Sequence, residues 1–376
     1  MVSSSIIIMM ILASVLNGSE GFAATKTAKS GGFGAKKVDP MATHRLDNSL
    51  ETMKLVEFIN NAGGKCNEKA KIASVKNAMR GLVCTKDIKK GETICSLPSS
   101  IALALSDPNA EDVDVVEAAG NYLDWYLNNA ERMEYFEPYL SSLPTDGGDE
   151  FSPTPDYFSM EEIAELEFPK MIEKTMSRIE KISEVAKAKG VSEEDLRYYA
   201  WLTSSRSFNI RLSIEDEGAK AKSVRVLVPF FDMINHSPSS NAEFDILDPE
   251  LDDSTFVIRA KRNIREGQEV TIGYGSGGFS SLDLFGEYGF VDPLDKMESD
   301  EKNVKKGPLQ RKPVTPDERM MAKEEERMKG NWDGWQTTLE DDVKEFIDCE
   351  PGSTRARILE FRVKLKRAGG WEGAGE

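Results

Sequence analysis

Short strand-like runs on both sides of a long helical segment are the feature that most constrains how this chain folds. β-branched residues and bounding turn residues mark the strand-like runs, and helical spacing of apolar residues marks the segment between them. The runs are residues 82–85, 92–97, 224–228, 256–260 and 269–274, and the helical segment is about 107–222. The pattern predicts an α+β chain with a mostly β core, small sheets and a helical insertion.

Local capping signals fix some helix ends. Apolar residues recur at helical spacing over 171–188 and stop at Gly190, and glycine commonly ends a helix. Ser192 followed by Asp195 is an N-cap signal for a helix that runs toward Arg206. Further helices are predicted over 55–61, 113–130 and about 354–367.

Composition excludes several classes of protein. The chain of 376 residues has a net charge of -17, which disfavours nucleic-acid binding because phosphate contacts require a basic surface. Four cysteines fit neither a zinc signature nor a dense disulfide scaffold. With only His44 and His236, histidine-based metal sites and Ser-His-Asp hydrolysis are nearly excluded. We expect no metal site.

The N-terminal segment resembles a targeting sequence. Residues 6–16 form an apolar run that is shorter than the roughly 20 residues of a membrane-spanning helix, which favours a signal-peptide core. Residues 25–37 follow with four lysines, hydroxyl residues and no acid. Together they resemble the two-part presequence of algae with secondary plastids. Plastid delivery is the prediction, with secretory entry and an unprocessed cytoplasmic start as alternatives.

Five short motifs, each present once, follow one another along the chain. In chain order they are residues 81–83, 205–208, 232–237, 272–275 and 287–290. Each alone has an ordinary explanation, such as a strand end, a turn or a pair of core aromatics. Asn235 and His236 follow the apolar stretch 226–234, which reads as a strand, and buried polar residues of this kind need partners.

In this order the motifs resemble SET-domain protein methyltransferases of the Rubisco large-subunit lysine methyltransferase subclass, over roughly residues 51–292. The resemblance implies a SET domain with a knotted C-terminal segment. It also implies a shortened helical C-terminal region, because about 84 residues remain after Asp292. The segments expected are a targeting presequence (1–45), the first part of the SET domain (50–106), a helical insertion (107–222), the C-terminal SET core (223–292) and a charged linker with a reduced helical region (293–376).

The resemblance also implies residue roles, with S-adenosylmethionine as the cofactor. Tyr274 is the implied catalytic residue, placed beside the transferred methyl group. The implied cofactor-binding residues are Arg80, Leu82, Arg206, Asn235, His236, Tyr274 and Phe290. The implied substrate-binding residues are Ser205, Phe208, Asp232, Ile272 and Tyr288.

The predicted activity is S-adenosylmethionine-dependent methylation of a lysine side chain in a non-histone protein, possibly the plastid Rubisco large subunit or aldolase. A protein-histidine methyltransferase and a non-catalytic SET-like binding module are the alternatives. The partner is therefore a protein substrate. We expect no nucleic-acid partner, no stable membrane insertion once the presequence is removed, and a monomer.

Overall fold

The computed structural model describes residues 41, 44–75, 79–107, 114–211, 223–247, 254–274, 281–291 and 334–368. The predicted signal-peptide core and the lysine-rich segment after it lie outside these residues, as does most of the predicted linker. Within the described part of the chain, every helix is too short or too polar to span a lipid bilayer.

The strands are short and the helices vary widely in length. The strands are β1 (Arg45–Leu46), β2 (Lys65–Cys66), β3 (Ala70–Ser74), β4 (Arg80–Cys84), β5 (Thr93–Pro98), β6 (Leu103–Ala104), β7 (Ser207–Arg211), β8 (Ser223–Leu227), β9 (Asn235–His236), β10 (Ala242–Leu247), β11 (Thr255–Ala260) and β12 (Glu269–Ile272). The α-helices are α1 (Leu50–Asn61), α2 (Val115–Tyr122), α3 (Ala130–Leu140), α4 (Met160–Ala164), α5 (Pro169–Lys189), α6 (Glu193–Arg206), α7 (Ser281–Tyr288), α8 (Leu339–Asp348) and α9 (Thr354–Ala368). This mixture of small sheets and helices confirms the predicted α+β class.

The strands form three small sheets. Their orders are β1-β3-β4-β12-β9, β10-β11-β5-β2 and β6-β8-β7. Strand β4 pairs antiparallel with β3, Ile72 opposite Leu82, and with β12, Val270 opposite Leu82. Leu82 is 0% exposed, so its side chain belongs to the apolar core.

The chain forms two compact units. The first comprises Met1–Val113, Phe208–Asn235 and Asn241–Val270, and the second comprises Asp114–Ser207, His236–Ser240 and Thr271–Glu376. The described residues of the second unit include two apolar clusters. One joins α2, α5 and α6 through residues such as Val116, Ile182 and Leu196. The other joins α5, α7 and α9 through residues such as Met171, Phe285 and Phe361.

Helix ends follow the predicted capping signals. Gly190 ends α5 in the left-handed conformation with φ 68°. The Ser192 side chain accepts a hydrogen bond from the Asp195 N–H at the start of α6. Helix α1 begins five residues before its predicted start, because the Ser49 side chain caps it by accepting from the Thr52 N–H.

The prediction of a continuous strand over 226–234 was wrong. Strand β8 ends at Leu227, and a 3₁₀ turn over Phe231–Met233 precedes the short strand β9. Pro229 lacks a backbone donor, and Phe230 has φ 71°, which no regular strand accommodates. An apolar run alone does not distinguish a buried strand from a buried turn.

Helices α8 and α9 enclose a buried charged cluster in the second unit. The Asp342 carboxylate, 1% exposed, lies 2.5 Å from Arg362 Nη2 and 2.5 Å from Lys366 Nζ. Glu167 supplies a second carboxylate, 3.0 Å from Arg362 Nη1. Burial lowers the pKa of Lys366, and its contact with Asp342 partly offsets that effect. Asp342 therefore compensates two cations that have little access to water.

We predict that Asp342→Ala lowers the free energy of unfolding by about 3–5 kcal/mol, because removing one partner leaves uncompensated buried charge. Urea unfolding of the full chain measures the change. Glu340→Ala, which removes an exposed carboxylate from the same helix, is the control and is expected to change stability by less than about 0.5 kcal/mol. Equal stability of the two variants would contradict this account of the cluster.

Candidate functional site

Asn235 is held by two hydrogen bonds within the first unit. Its side-chain Nδ2 donates to the Arg80 carbonyl oxygen at 3.0 Å and to Glu269 Oε1 at 2.7 Å. Both partners are acceptors, so the orientation of the amide is fixed: the reverse orientation would place Oδ1 against two oxygens. No described residue donates to Asn235 Oδ1. This oxygen is the acceptor end of the amide, opposite the bonded Nδ2.

Gly81 provides the space for this arrangement. A Cβ atom at Gly81 would lie 2.7 Å from Asn235 Nδ2 and 2.8 Å from Glu269 Oε1, closer than Cβ atoms approach polar atoms. A larger residue would therefore displace both side chains. The requirement explains why glycine stands between the predicted cofactor-binding residues Arg80 and Leu82. Since the Leu82 side chain is buried in the core, only its backbone can serve a ligand.

In the second unit, the side chain of His236 holds the backbone at Tyr274. The Tyr274 backbone N–H donates to His236 Nδ1 at 2.9 Å. Because Nδ1 accepts in this bond it carries no hydrogen, and the ring hydrogen of the neutral imidazole lies on Nε2. The Ser237 N–H donates to the Ile272 carbonyl oxygen at 3.0 Å, so the two segments are joined at a second point.

Four aromatic rings gather around this bond. The ring centroids of His236 and Tyr274 are 5.2 Å apart, and those of Tyr274 and Tyr288 are 4.8 Å apart. The ring centroid of Phe290 lies 6.3 Å from that of His236 and 6.0 Å from that of Tyr288. The structure thus brings together His236, Tyr274, Tyr288 and Phe290, four of the predicted site residues, and we call them the aromatic cluster.

The turn that carries Tyr288 and Phe290 depends on a glycine. Helix α7 ends at Tyr288, and Gly289 follows with φ 72°. A Cβ atom at Gly289 would lie 2.6 Å from the Pro153 carbonyl oxygen, which leaves no room for a side chain. Arg357 Nη1 on α9 donates to the Gly289 carbonyl oxygen at 2.9 Å. The C-terminal helix therefore supports the end of the aromatic cluster.

The remaining predicted residues lie elsewhere on the two units. In the second unit, Arg206 ends α6 as predicted, and its Nη2 lies 2.9 Å from Glu150 Oε2. Ser205 Oγ donates to the Leu202 carbonyl oxygen. Ile272 lies at the end of β12 and is 4% exposed. In the first unit, the Phe208 ring stacks on Phe244 at 5.1 Å, and Asp232 is buried in the 3₁₀ turn Phe231–Met233.

Sequence reasoning missed Glu269 and Arg357. Both support predicted site residues through contacts that span 34 and 68 positions of the chain. No local pattern signals such a contact. The Gly289 position was the one available signal, since a glycine between two aromatic residues marks a backbone requirement.

A charged cavity in the second unit has none of the predicted site residues in its lining. Its volume is about 330 Å³, and its lining includes Asp156, Lys174, Arg178 and Glu287. Burial lowers the pKa of Arg178, but Asp156 and Glu287 outweigh that effect and raise it above its usual value. Arg178 Nε lies 3.2 Å from Asp156 Oδ1 and Lys174 Nζ 2.7 Å from Glu287 Oε1, so cations and carboxylates of the lining neutralise one another.

Comparisons with solved structures give a common fold. A SET domain of LSMT bound to methyllysine and AdoHcy superposes with a TM-score of 0.58 at 17% identity, covering 86% of this chain and 91% of that one. Rubisco LSMT bound to AdoMet gives 0.57 at 17% identity over 86% and 91%. The LSMT SET domain bound to lysine and AdoHcy gives 0.56 at 17% identity over 85% and 90%.

No curated protein sequence matches the chain. The SET-domain family matches residues 79–275, which is more than half of the chain and includes the Asn235–His236 pair and Tyr274. The predicted SET domain is confirmed by this match, and structures of the predicted subclass share the fold. The chain therefore belongs to the SET-domain family.

Proposed function

We propose that this chain is an S-adenosylmethionine-dependent protein-lysine N-methyltransferase. The observation that carries the proposal is the hydrogen bond from the Tyr274 N–H to His236 Nδ1, which fixes a tyrosine within an aromatic cluster. The family match supports methyl transfer as the chemistry. Lysine as the acceptor is supported by the related fold of structures that hold lysine or methyllysine.

The residues of the first unit fit the amino-acid part of the cofactor. S-Adenosylmethionine carries an α-ammonium group, which needs hydrogen-bond acceptors. Asn235 Oδ1 is such an acceptor, since both N–H bonds of the amide are directed to Arg80 and Glu269. Gly81 lets the backbone of β4 approach these groups closely. We assign Asn235, with the backbone of Arg80–Leu82, to this part of the cofactor.

The aromatic cluster fits the methyl-transfer step. When bound, S-adenosylmethionine supplies an activated methyl group on a cationic sulfonium. The rings of Tyr274, Tyr288, Phe290 and His236 offer π faces that attract a cation, a contribution of about 0.5–2 kcal/mol for each well-placed ring. They would also desolvate the acceptor amine on the sides that they cover. Attraction of the sulfonium cation and desolvation of the amine both favour this cluster as the reaction centre.

Tyr274 is assigned a role in orienting the amine. Its hydroxyl would accept a weak C–H···O contact from the methyl group that the cofactor supplies and a hydrogen bond from the amine. The tyrosine need not remove the proton, because its reference pKa of about 10 makes it a weak base at neutral pH. Desolvation and a nearby positive charge both lower the pKa of a substrate lysine, so the amine loses its proton to water.

We further propose that the substrate is a non-histone protein of the plastid, with the Rubisco large subunit and aldolase as candidates. The two-part composition of residues 1–45 supports plastid delivery. The net charge of -17 favours a basic segment as the substrate. Histidine methylation and a non-catalytic binding role are the competing functions, and the second of these would not require Tyr274.

We predict that S-adenosylhomocysteine binds the mature chain, from about residue 46, and that Asn235→Ala weakens the affinity about tenfold or more, because one charge-assisted hydrogen bond is lost. Isothermal titration calorimetry measures the change. Asn60→Ala, at an exposed position of α1 in the same unit, is the control and should bind like the wild type. If the folded wild-type chain does not bind, the proposed activity is wrong.

We predict that Tyr274→Phe lowers the methyl-transfer rate by about 100-fold or more, the scale of losing one oriented polar group at a reaction centre. S-Adenosylhomocysteine affinity should stay within a few-fold, since the ring is kept. Transfer of labelled methyl to proteins of a plastid extract measures the rate. Tyr135→Phe makes the same change at a 53% exposed tyrosine of the second unit and should have no effect. Unchanged activity in Tyr274→Phe would remove the assigned role.

A further inference from the structure

Glu269 makes a side-chain contact that the proposed reaction does not itself require. It is the first residue of β12, and its Oε1 accepts from Asn235 Nδ2 at 2.7 Å. The Glu269 backbone is held on two sides, by its pairing opposite Val83 of β4 and by the Asn241 Nδ2 that donates to its carbonyl oxygen at 2.8 Å. The carboxylate therefore meets Asn235 from a fixed position.

The Asn235 amide has two hydrogens on Nδ2, and each has one acceptor. The Arg80 carbonyl oxygen takes one and Glu269 takes the other. Without Glu269, only the neutral hydrogen bond to the Arg80 carbonyl oxygen would oppose the rotation that exchanges the donor and acceptor ends of the amide. Hydrogen bonds to a carboxylate are stronger than bonds to a neutral carbonyl, so Glu269 dominates the choice of orientation.

We propose that Glu269 is a positioning residue that fixes the Asn235 amide with Oδ1 toward the cofactor. This inference rests on the proposed function, because it concerns the same cofactor. With Oδ1 outward, Asn235 accepts from the α-ammonium group and repels the α-carboxylate of the ligand. The negative charge of Glu269 favours the same end of the amino-acid part. Glu269 thus sets which polar group of the ligand Asn235 recognises.

Gly81 supports this assignment independently of the hydrogen bonds. The closest atoms to a Cβ placed at Gly81 are Asn235 Nδ2 and Glu269 Oε1, at 2.7 and 2.8 Å. The backbone of β4 therefore closes over the bond between the two side chains. A side chain at Gly81 would push these two atoms apart, so the bond depends on the glycine.

The test compares two ligands by calorimetry on the same proteins. S-Adenosylhomocysteine contains the amino-acid part, and 5′-methylthioadenosine lacks it. We expect Glu269→Met, which keeps the length of the side chain but has no oxygen acceptor, to weaken S-adenosylhomocysteine binding roughly tenfold. Binding of 5′-methylthioadenosine should not change. Glu269→Gln keeps an oxygen acceptor without the charge and should recover part of the lost affinity.

Glu266→Gln is the matched control, since it changes an exposed carboxylate three residues away in the turn before β12. Equal weakening of both ligands by Glu269→Met would assign the residue a purely structural role and overturn the inference. Unchanged S-adenosylhomocysteine affinity would overturn it as well. A wild-type chain that binds neither ligand would instead overturn the proposed function on which the inference rests.

Discussion

The hydrogen bond from the Tyr274 backbone to His236 Nδ1 is the interaction on which the proposed reaction centre depends. It joins two segments of the chain that are 38 positions apart, and it sets both the tautomer of the histidine and the starting point of the tyrosine. The rings of Tyr288 and Phe290 complete the cluster from the end of α7. Because the bond uses a backbone donor, it constrains the path of the chain as well as one side chain. The bond therefore defines part of the geometry of the cluster.

Glycines allow the two groups of site residues to be built. Gly81 lets β4 approach the Asn235–Glu269 bond, and Gly289 lets the chain turn against the Pro153 carbonyl oxygen with φ 72°. Both are places where a side chain has no room. Arg357 then donates to the Gly289 carbonyl oxygen from the C-terminal helix. Helix α9 thus contributes to the aromatic cluster of its own unit.

Local signals were sufficient for part of the fold. The cap residues Gly190 and Ser192 act on their nearest neighbours, so the ends of α5 and α6 were predictable. Strands such as β2 and β9, two residues each, carry no periodicity. Helix α8 was missed because its buried residue is Asp342, a charged side chain that ordinarily indicates a solvated face. The turn at Phe230 was hidden within an apolar run.

The candidate site likewise contains residues that the sequence motifs identified and residues that they did not. The ordered motifs identified Asn235, His236, Tyr274, Tyr288 and Phe290, and the structure groups the last four in one cluster. The motifs did not identify Glu269 or Arg357. These residues support the site through contacts with distant parts of the chain, and such contacts exist only in the folded protein. Supporting residues of this kind are invisible to spacing along one sequence.

The most direct test of the account is to identify the amino acid that receives the methyl group. The mature chain would be incubated with methyl-labelled S-adenosylmethionine and a plastid protein extract, and the labelled proteins would be hydrolysed for amino-acid analysis. The account predicts label in Nε-methylated lysine. Label in methylhistidine, or no transfer by a folded chain that binds S-adenosylhomocysteine, would contradict it.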